Sequence, residues 1–489
     1  MKKLFWIFVL AVVLRFLYFP GNIYFGFDQA RDAFASLEVA RGDIRLVGPP
    51  TSTPGLFHGP LHYYLFAPAY LLFQGNPMGI SAVLRVVNAL GVFLVFYVAY
   101  LMFGKKSAFI ASFLYAISFE QTQFAIYINH PSLGVISVLL FYLGLAMLIF
   151  QKKAKGWFVL ALGLGLSLQF EFVLIILLPI LLAVLVVFFK KIPRPSLAQI
   201  IISSGIILFF VSSFLLAEIK FHSNSLPLIF GVANSTSIIS PLVNFTLILN
   251  RFFQNNILYL FSPVSLFGYA ALVIWFIYKK KFLQLIFICL WTLGGIIPYI
   301  HNLNTLPLYY HAMGASVGLL IAVSYFLSKK PVFILLLIIS NLYLIRNYNP
   351  LGSLPSFNVQ SGMLLTQQIQ VIDYMYKKAQ GRQFSINALT MPLYVNTTWS
   401  YLFSWHARDK ILPIWGGEQA LGYPGEKVFQ IETSRSKLPD LQFLIIEPTR
   451  GIAPNIISDF MRLESYFTKV VSQQSFGQFV VQTRAKIDQ

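Results

Sequence analysis

Nearly unbroken apolar segments recur along the first 350 residues, and they constrain the fold more than any other feature of the sequence. Leu4–Phe19, Ile136–Phe150 and Phe282–Ile300 are examples. A helix needs about 20 such residues to cross the hydrocarbon core of a bilayer, where every backbone polar group must be bonded internally. With 57% hydrophobic and 11% charged residues, the chain has too little charge to cover a soluble protein of this length. We therefore predict an all-α, polytopic membrane domain.

The apolar segments predict about eleven transmembrane helices. Their approximate bounds are 4–20, 79–103, 107–126, 132–150, 157–170, 172–189, 197–217, 256–278, 282–300, 306–328 and 331–347. The start of the chain resembles a signal peptide, but Phe16, Tyr18 and Phe19 stand where cleavage requires small residues. We expect an uncleaved first helix.

Basic residues set the expected orientation. They cluster in short loops at Lys2/Lys3, Lys105/Lys106, Lys152/Lys153/Lys155, Lys190/Lys191/Arg194, Lys279/Lys280/Lys281 and Lys329/Lys330. Such loops stay in the cytoplasm, which places the N-terminus inside. The carboxylates of residues 1–350 and the histidines of the whole chain then fall on the outer side. Charge asymmetry that serves insertion alone would explain the lysines but not this opposite clustering, so we favour an outward-facing functional site.

The net charge of +19 comes mainly from the membrane part. Residues 1–350 have 23 basic and 7 acidic residues, whereas residues 351–489 have 13 and 10. This excess suits a bilayer with anionic headgroups, and no basic stripe interleaved with aromatics indicates nucleic acid. The single cysteine, Cys289, excludes an intrachain disulfide and a cysteine zinc cluster.

The composition turns polar after Asn347-Tyr348-Asn349-Pro350. We divide the chain there into a membrane domain, 1–350, and a soluble extracytoplasmic α/β domain, 351–489. The patterns predict helices over 363–379 and 455–464 and strands over 384–388, 441–446 and 478–482.

The first outer loop, about 20–78, carries the densest chemistry. Asp28 and Asp32 are four residues apart, so on a helix they share one face, with Arg31 next to Asp32. A carboxylate at a helix start just above the membrane can accept a proton from an incoming hydroxyl or amine. The alternative is that Asp28 is an N-cap and that Arg31 and Asp32 form an exposed ion pair.

The same loop ends in His58-Gly59-Pro60-Leu61-His62-Tyr63-Tyr64. Together with the opening Asp28-Gln29, this layout resembles the GT-C membrane glycosyltransferases, especially the dolichyl-phosphate-mannose–protein mannosyltransferase and aminoarabinose transferase group. Asp28 matches the first acid of that group's opening motif, while Gln29 stands where a second acid is usual. His58 to Leu61 matches its basic-Pro-Pro-Leu segment, with His for Lys and Gly for one Pro. The resemblance covers residues 1 to about 350.

The resemblance implies a transferase of a bacterial or archaeal plasma membrane. It would move a sugar from a polyprenyl-phosphate donor to an unidentified acceptor (protein, lipid or glycan) on the outer face, inverting the anomeric centre. Asp28 would be the general base and Asp32 a second catalytic candidate. His58 would bind the donor phosphate, with His311 as a second candidate and Arg85 and Arg251 as weaker ones. Binding candidates are Arg31, His58, Tyr63, Arg85, Glu120, Asn129, His130, Arg251, Tyr310 and His311.

Two further features leave alternatives open. Asn129 stands near a position where the group has an acid, so Glu120 could substitute, or Asn129 could cap the helix that begins at Pro131. Arg15, inside the first helix, is either a site residue or snorkels to the interface.

No cofactor is indicated, and we expect no metal site, because Gly59-Pro60 leaves His58 outside the helix that carries His62. The alternative function is a transporter or flippase of lipid-linked saccharides. Transporters place polar residues near the bilayer midplane in repeated halves. This chain places them at one edge and shows no repeat, which favours the enzyme.

Overall fold

The structure is a computed structural model, and it describes residues 2–51, 53–221, 241–259, 262–297, 309–355, 357 and 360–487. Within these ranges, helices dominate the first 350 residues. In chain order they are α1 (Lys2–Phe16), α2 (Phe27–Ala40), α3 (Leu61–Leu72), α4 (Pro77–Phe103), α5 (Lys105–Ile117), α6 (Phe119–Ile126), α7 (Pro131–Gln151), α8 (Gly156–Phe170), α9 (Leu177–Val187), α10 (Leu197–Phe221), α11 (Pro241–Asn256), α12 (Ser262–Tyr278), α13 (Phe282–Gly294), α14 (Ser316–Leu327) and α15 (Ile334–Tyr348).

The long apolar helices agree with the predicted membrane domain. Four described helical stretches are long and apolar enough to cross a membrane: Pro77–Phe103, Pro131–Gln151, Leu197–Phe221 and Pro331–Leu351. Five shorter apolar helices accompany them. The count of eleven spans stays a prediction, and part of the predicted helix 306–328 lies outside the described residues.

One predicted helix is broken in the structure, and another begins later than predicted. The segment predicted as 107–126 forms α5 and α6, which meet at Ser118. The Ser118 hydroxyl accepts a hydrogen bond from the Gln121 backbone N–H at 3.2 Å and so caps α6. The helix predicted over 256–278 corresponds to α12, which begins six residues later, at Ser262, and ends at Tyr278 as predicted.

Two arginines are buried in the helix bundle and hydrogen-bonded to it. The Arg15 side chain donates to Asn88 Oδ1 at 2.7 Å and to the Ala11 and Ala116 carbonyls at 3.0 and 3.1 Å. Arg15 is fully buried, so the snorkelling alternative is wrong. Arg85 donates to Asn22 Oδ1 at 2.9 Å, to Ser81 and to the Arg15 carbonyl. These bonds tie α1, α4 and α5 together.

The C-terminal part is an α/β domain, as predicted. Its helices are α16 (Leu365–Ala379), α17 (Thr397–His406) and α18 (Pro454–Phe467), and its strands are β1 (Ser385–Leu389), β2 (Ile414–Trp415), β3 (Gln430–Ile431), β4 (Gln442–Ile446), β5 (Thr468–Phe476) and β6 (Phe479–Lys486). The strand order is β3-β2-β1-β4-β6-β5. The first four strands are parallel, with Ser385 opposite Gln442, and β6 and β5 are antiparallel. The sequence patterns missed α17, β2, β3 and β5.

This domain packs directly on the first outer loop. The Phe25 N–H donates to the Met363 carbonyl at 2.8 Å, and the Leu365 N–H donates to the Ile23 carbonyl at 2.9 Å. The Tyr401 hydroxyl of α17 donates to the Gly75 carbonyl at 2.7 Å. One hydrophobic core joins apolar residues of the loop and the domain. The chain just before α2 is therefore held by the C-terminal domain.

Glu447, at the end of β4, is a buried carboxylate in this domain. It accepts hydrogen bonds from Gln360 Nε2 and Trp399 Nε1, each at 2.9 Å, and from the Met391 N–H at 3.3 Å. Burial nevertheless raises the pKa of Glu447 from 4.5 to about 7, because it outweighs these three donors.

We expect the protein to lose stability as the pH rises from about 4.5 to 7. The folded form holds the Glu447 proton more tightly than the unfolded chain does, so this contribution is complete below pH 4.5 and is lost towards pH 7. The free energy of unfolding should fall by about 3 kcal/mol from this group. Thermal unfolding in detergent should show the fall in the wild type and in Asp459→Asn, an exposed control, but not in Glu447→Gln. An unchanged slope in Glu447→Gln would contradict the assignment.

The orientation can be tested with single cysteines in a Cys289→Ser background. Ser436 and Lys106 are both exposed, in the C-terminal domain and at the start of α5, whereas the neighbouring Ser107 is buried and unsuitable as a probe. In intact cells, a membrane-impermeant maleimide should label Ser436→Cys and leave Lys106→Cys unlabelled. After permeabilisation both should react. Labelling of Lys106→Cys in intact cells would reverse the predicted topology.

Candidate active site

The start of α2 is fixed by Gln29. Its Oε1 accepts a hydrogen bond from the Gly26 N–H at 3.0 Å, and its Nε2 donates to the Ile128 carbonyl at 2.9 Å. Gly26 is the N-cap, so the alternative in which Asp28 caps the helix is wrong. Asp28 instead lies in the first turn, where the helix dipole favours a carboxylate.

Arg31 bridges the two acids of α2. Its Nη1 lies 2.7 Å from Asp28 Oδ1, and its Nε lies 2.8 Å from Asp32 Oδ1. The side chains of Asp28, Arg31 and Asp32 are 49%, 13% and 4% exposed. The Arg31–Asp32 pair is therefore buried, and the idea of an exposed pair was wrong. Asp28 is therefore the most solvent-exposed member of the trio.

Asp32, the buried member of this trio, lies next to a group of histidines. Although burial acts to raise it, the pKa of Asp32 stays well below its usual range, because Arg31 and His62 stabilise the carboxylate. His62 Nε2 lies 3.6 Å from Asp32 Oδ2. The ring centroids of His62 and His130 are 5.1 Å apart, and those of His58 and His130 are 4.5 Å apart.

Glu171 completes this group from the other side. Its Oε1 lies 3.3 Å from His58 Nδ1, and its Oε2 lies 3.4 Å from His130 Nε2. We call Asp32, His58, His62, His130 and Glu171 the histidine–carboxylate cluster. All five members are buried. Two carboxylates and three imidazoles thus lie together, and Asp32 connects them to Arg31.

Close backbone packing sets the position of His58. The adjacent Gly59 lies against Gln169, where an added Cβ would lie 2.4 Å from Gln169 Oε1 and 2.8 Å from its Cα. Gln169 Oε1 also accepts a hydrogen bond from the Leu61 N–H at 3.3 Å. Because Glu171 lies two residues after Gln169, at the C-terminal end of α8, this contact brings the start of α3 close to Glu171.

Two imidazoles of the cluster, those of His58 and His130, favour the neutral form. Burial lowers the pKa of His58 to about 3, although Glu171 opposes the shift, and burial also lowers the pKa of His130. His58 Nδ1 accepts a hydrogen bond from the Phe172 N–H at 3.1 Å. A neutral His58 can offer a phosphate one N–H donor but no positive charge.

Tyr310 and His311 approach the cluster from the segment before α14. The Tyr310 ring stacks on Tyr127 with centroids 6.0 Å apart. The carboxylates of Glu171 and Asp28 act electrostatically on Tyr310, and the carboxylate of Glu171 acts on His311. Both residues therefore lie near Glu171, and Tyr310 also lies near Asp28.

The remaining candidates divide into two groups. Asn129 donates to the Tyr127 hydroxyl at 2.8 Å, and its Oδ1 accepts from the His130 N–H at 2.8 Å, so it orients the loop beside the cluster. His130, rather than Asn129, is the N-cap of α7. The Tyr63 ring lies 4.0 Å from that of His62. Nine predicted residues therefore meet in this region: Asp28, Arg31, Asp32, His58, Tyr63, Asn129, His130, Tyr310 and His311.

Glu120, Arg85 and Arg251 have other surroundings. The Glu120 carboxylate accepts hydrogen bonds from Asn256 and Ser316, which joins α6 to α11 and α14. Arg85 contributes to the bundle network of α1 and α4. Arg251 lies partly buried on α11.

Sequence reasoning missed two members of the cluster, His62 and Glu171. A buried glutamate at a helix end does carry a signal, because such a charge is costly without a partner. That signal indicates a partner without identifying it. The partners, His58 and His130, lie far from Glu171 in sequence, and only the packing of α3, α7 and α8 brings them together.

Residues 57–216 match the sequence model of the family described as dolichyl-phosphate-mannose-protein mannosyltransferase. The matched range, about a third of the chain, includes His58, His62, His130 and Glu171 and begins after Asp28. No curated protein matches the sequence.

Solved structures extend the comparison to nearly the whole chain. ArnT from Cupriavidus metallidurans in the apo state superposes with a TM-score of 0.59 at 13% identity, covering 97% of each chain. The same protein bound to undecaprenyl phosphate gives a TM-score of 0.55 at 13% identity and the same coverage. The chain has a GT-C fold. The predicted resemblance is confirmed, and this family and fold are those of membrane glycosyltransferases.

A weaker similarity relates the GT-C fold of this chain to the archaeal oligosaccharyltransferase AglB from Archaeoglobus fulgidus. The structure of AglB in complex with an inhibitory peptide and a dolichol-phosphate gives a TM-score of 0.47 at 13% identity. The match covers 82% of this chain and 63% of AglB.

We expect Gly59→Ala to destabilise the site. The added methyl would overlap Gln169 and force apart the start of α3 and the end of α8, at a cost of about 1–3 kcal/mol. Gly205→Ala is the matched control, because it lies within α10 with open space around its added Cβ. Thermal unfolding in detergent should show a lower midpoint for Gly59→Ala and an equal or higher one for Gly205→Ala. Equal midpoints for Gly59→Ala and wild type would contradict the packing argument.

Proposed function

We propose that this protein transfers a sugar from a polyprenyl-phosphate donor to an acceptor at the outer face of the plasma membrane. The observation that carries the proposal is the position of Asp28. It is a half-exposed carboxylate, held by Arg31 in the first turn of α2, above a buried polar cluster. A similar fold binds undecaprenyl phosphate in ArnT, which supports a donor of this chemical class.

The proposed reaction is a single displacement in which a carboxylate accepts the proton of the acceptor. An acceptor O–H or N–H attacks the anomeric carbon while the bond from that carbon to the phosphate oxygen breaks. Asp28 takes the acceptor proton, and polyprenyl phosphate leaves with the electron pair. This single displacement inverts the anomeric centre. The Arg31 guanidinium orients the base, because its bond to buried Asp32 fixes its own position.

The C-terminal domain forms the other wall of the acceptor side in this proposal. The Tyr423 ring packs edge-on against Phe27, next to Asp28, with centroids 5.8 Å apart. An added Cβ at Gly425 would lie 2.8 Å from the Phe34 ring of α2. The loop after β2 therefore lies beside the base, where it would contact an acceptor.

Release of polyprenyl phosphate offers a test that does not require the acceptor to be known. Purified protein would be incubated with a panel of synthetic polyprenyl-phosphate sugars and a cell-envelope extract, and the released polyprenyl phosphate measured by mass spectrometry. We expect release with at least one sugar, dependent on the extract. If the panel yields no release but proteoliposomes move a labelled donor between leaflets, the chain is a flippase instead.

The two acids of α2 should behave differently when neutralised. Asp28→Asn keeps the fold and removes the base, so turnover should fall by about 10²–10⁴-fold while the unfolding midpoint is retained. Asp32→Asn leaves the mostly buried Arg31 guanidinium with only the half-exposed Asp28 as a counter-charge, so it should cost about 3–5 kcal/mol of stability. Rates and unfolding midpoints of both variants check this pattern. Wild-type turnover in Asp28→Asn would remove Asp28 from the mechanism.

A further inference from the structure

We infer that the histidine–carboxylate cluster binds a divalent transition-metal ion, with Asp32, His62 and His130 as ligands and Glu171 as the fourth. This inference rests on the side chains alone and stands whether or not the protein transfers sugar.

The spacing of the ligand atoms fits a metal site, with Asp32, His62 and His130 as one group of three. Three possible ligand atoms, one from each of Asp32, His62 and His130, lie within 4.8 Å of one another. A second group of three, from His58, His130 and Glu171, has the same spacing. His130 belongs to both groups. Ligands at about 2.0–2.1 Å from a tetrahedral ion lie about 3.3 Å apart. The pairs His62–Asp32 at 3.6 Å and His130–Glu171 at 3.4 Å are close to that value.

The same atoms lack hydrogen bonds within the described part of the chain. Asp32 Oδ2, Glu171 Oε2 and both ring nitrogens of His62 and of His130 are buried without a hydrogen-bond partner there. His62 Nε2 lies 3.6 Å from Asp32 Oδ2, and His130 Nε2 lies 3.4 Å from Glu171 Oε2, which are longer than the usual hydrogen-bond distance. Buried polar atoms are costly when unpaired, so six of them in one cluster point to a missing ligand.

Charge and orientation favour a cation. Asp28, Asp32 and Glu171 bring three carboxylates together, and Arg31 balances one of them. A divalent ion would balance the other two. Arg31 also holds Asp32 Oδ1, which turns Oδ2 towards His62, as outer partners commonly orient metal ligands.

The ligand set selects the class of ion. Two imidazoles and two carboxylates suit Zn²⁺ and related transition metals, whereas Mg²⁺ and Ca²⁺ prefer oxygen ligands alone. His58 is not needed, since its Nδ1 accepts the Phe172 N–H. The four ligands come from α2, α3, the start of α7 and the end of α8. An ion there would join the first outer loop to the helix bundle.

The test uses the full chain, purified in detergent with an affinity tag that contains no histidine. After dialysis against Zn²⁺ and then metal-free buffer, elemental analysis should find about one Zn²⁺ per wild-type chain. His62→Ala and His130→Ala should each retain less than about a fifth of that. His406→Ala is the matched control, because His406 lies on α17 and pairs with Asp373 at 2.9 Å. It should retain the wild-type content.

A second measurement needs no variant. Co²⁺ added to the metal-free wild-type chain should give the intense visible absorption of a tetrahedral nitrogen–oxygen site, and Zn²⁺ should abolish it. The inference is overturned if the wild type retains no Zn²⁺, if His62→Ala and His130→Ala retain as much as wild type, or if Co²⁺ gives no such absorption. A chain that binds Zn²⁺ at this site but releases no polyprenyl phosphate would keep this inference and contradict the proposed function.

Discussion

The bridge that Arg31 makes between Asp28 and Asp32 is the interaction on which the site depends. Arg31 connects the half-exposed carboxylate of Asp28 to the buried carboxylate of Asp32. Because Asp32 holds Arg31 in place, Arg31 can hold Asp28 in place. Asp32 in turn faces His62, and through His130 the contacts reach Glu171. Removing the Arg31 guanidinium would leave the buried Asp32 carboxylate without its cationic partner in a low-dielectric interior, which is far more costly than the loss of a surface ion pair.

The rest of the fold supplies the surfaces that keep α2 in place. On one side, Gln29 bonds the Ile128 carbonyl and ties α2 to the loop before α7. On the other, Gln368 donates to the Phe25 carbonyl at 2.8 Å, and the loop after β2 packs on Phe27. The C-terminal domain therefore acts as a structural wall of the site. Within this domain, Glu447 at the end of β4 accepts a hydrogen bond from Trp399 of α17. This bond connects the parallel part of the sheet to α17.

Polar networks also stabilise the helix bundle below the site. Arg15 and Arg85 place two guanidinium groups among helix carbonyls and asparagine side chains, where unpaired charges would be very costly. Glu120 links α6 to α11 and α14 in the same manner. Charged residues in these apolar helices form hydrogen bonds to neighbouring helices. Because a charged residue in an apolar segment also suggests a functional site, Arg85 and Glu120 resembled site residues in the sequence.

The sequence by itself determined the classes of structure: an apolar helical domain, a polar α/β tail, a helix that carries Asp28 and Asp32, and the start of α3 after His58. These follow from local periodicity, capping and turn chemistry, which are written in neighbouring residues. It also indicated Asp28 and His58 through short motifs. Only the tertiary structure decided which polar residues share a site, because His62, His130 and Glu171 lie on separate segments. Whether a buried acid is paired with a histidine or with an asparagine depends on helix packing, and packing between distant segments leaves no periodic trace in a single sequence.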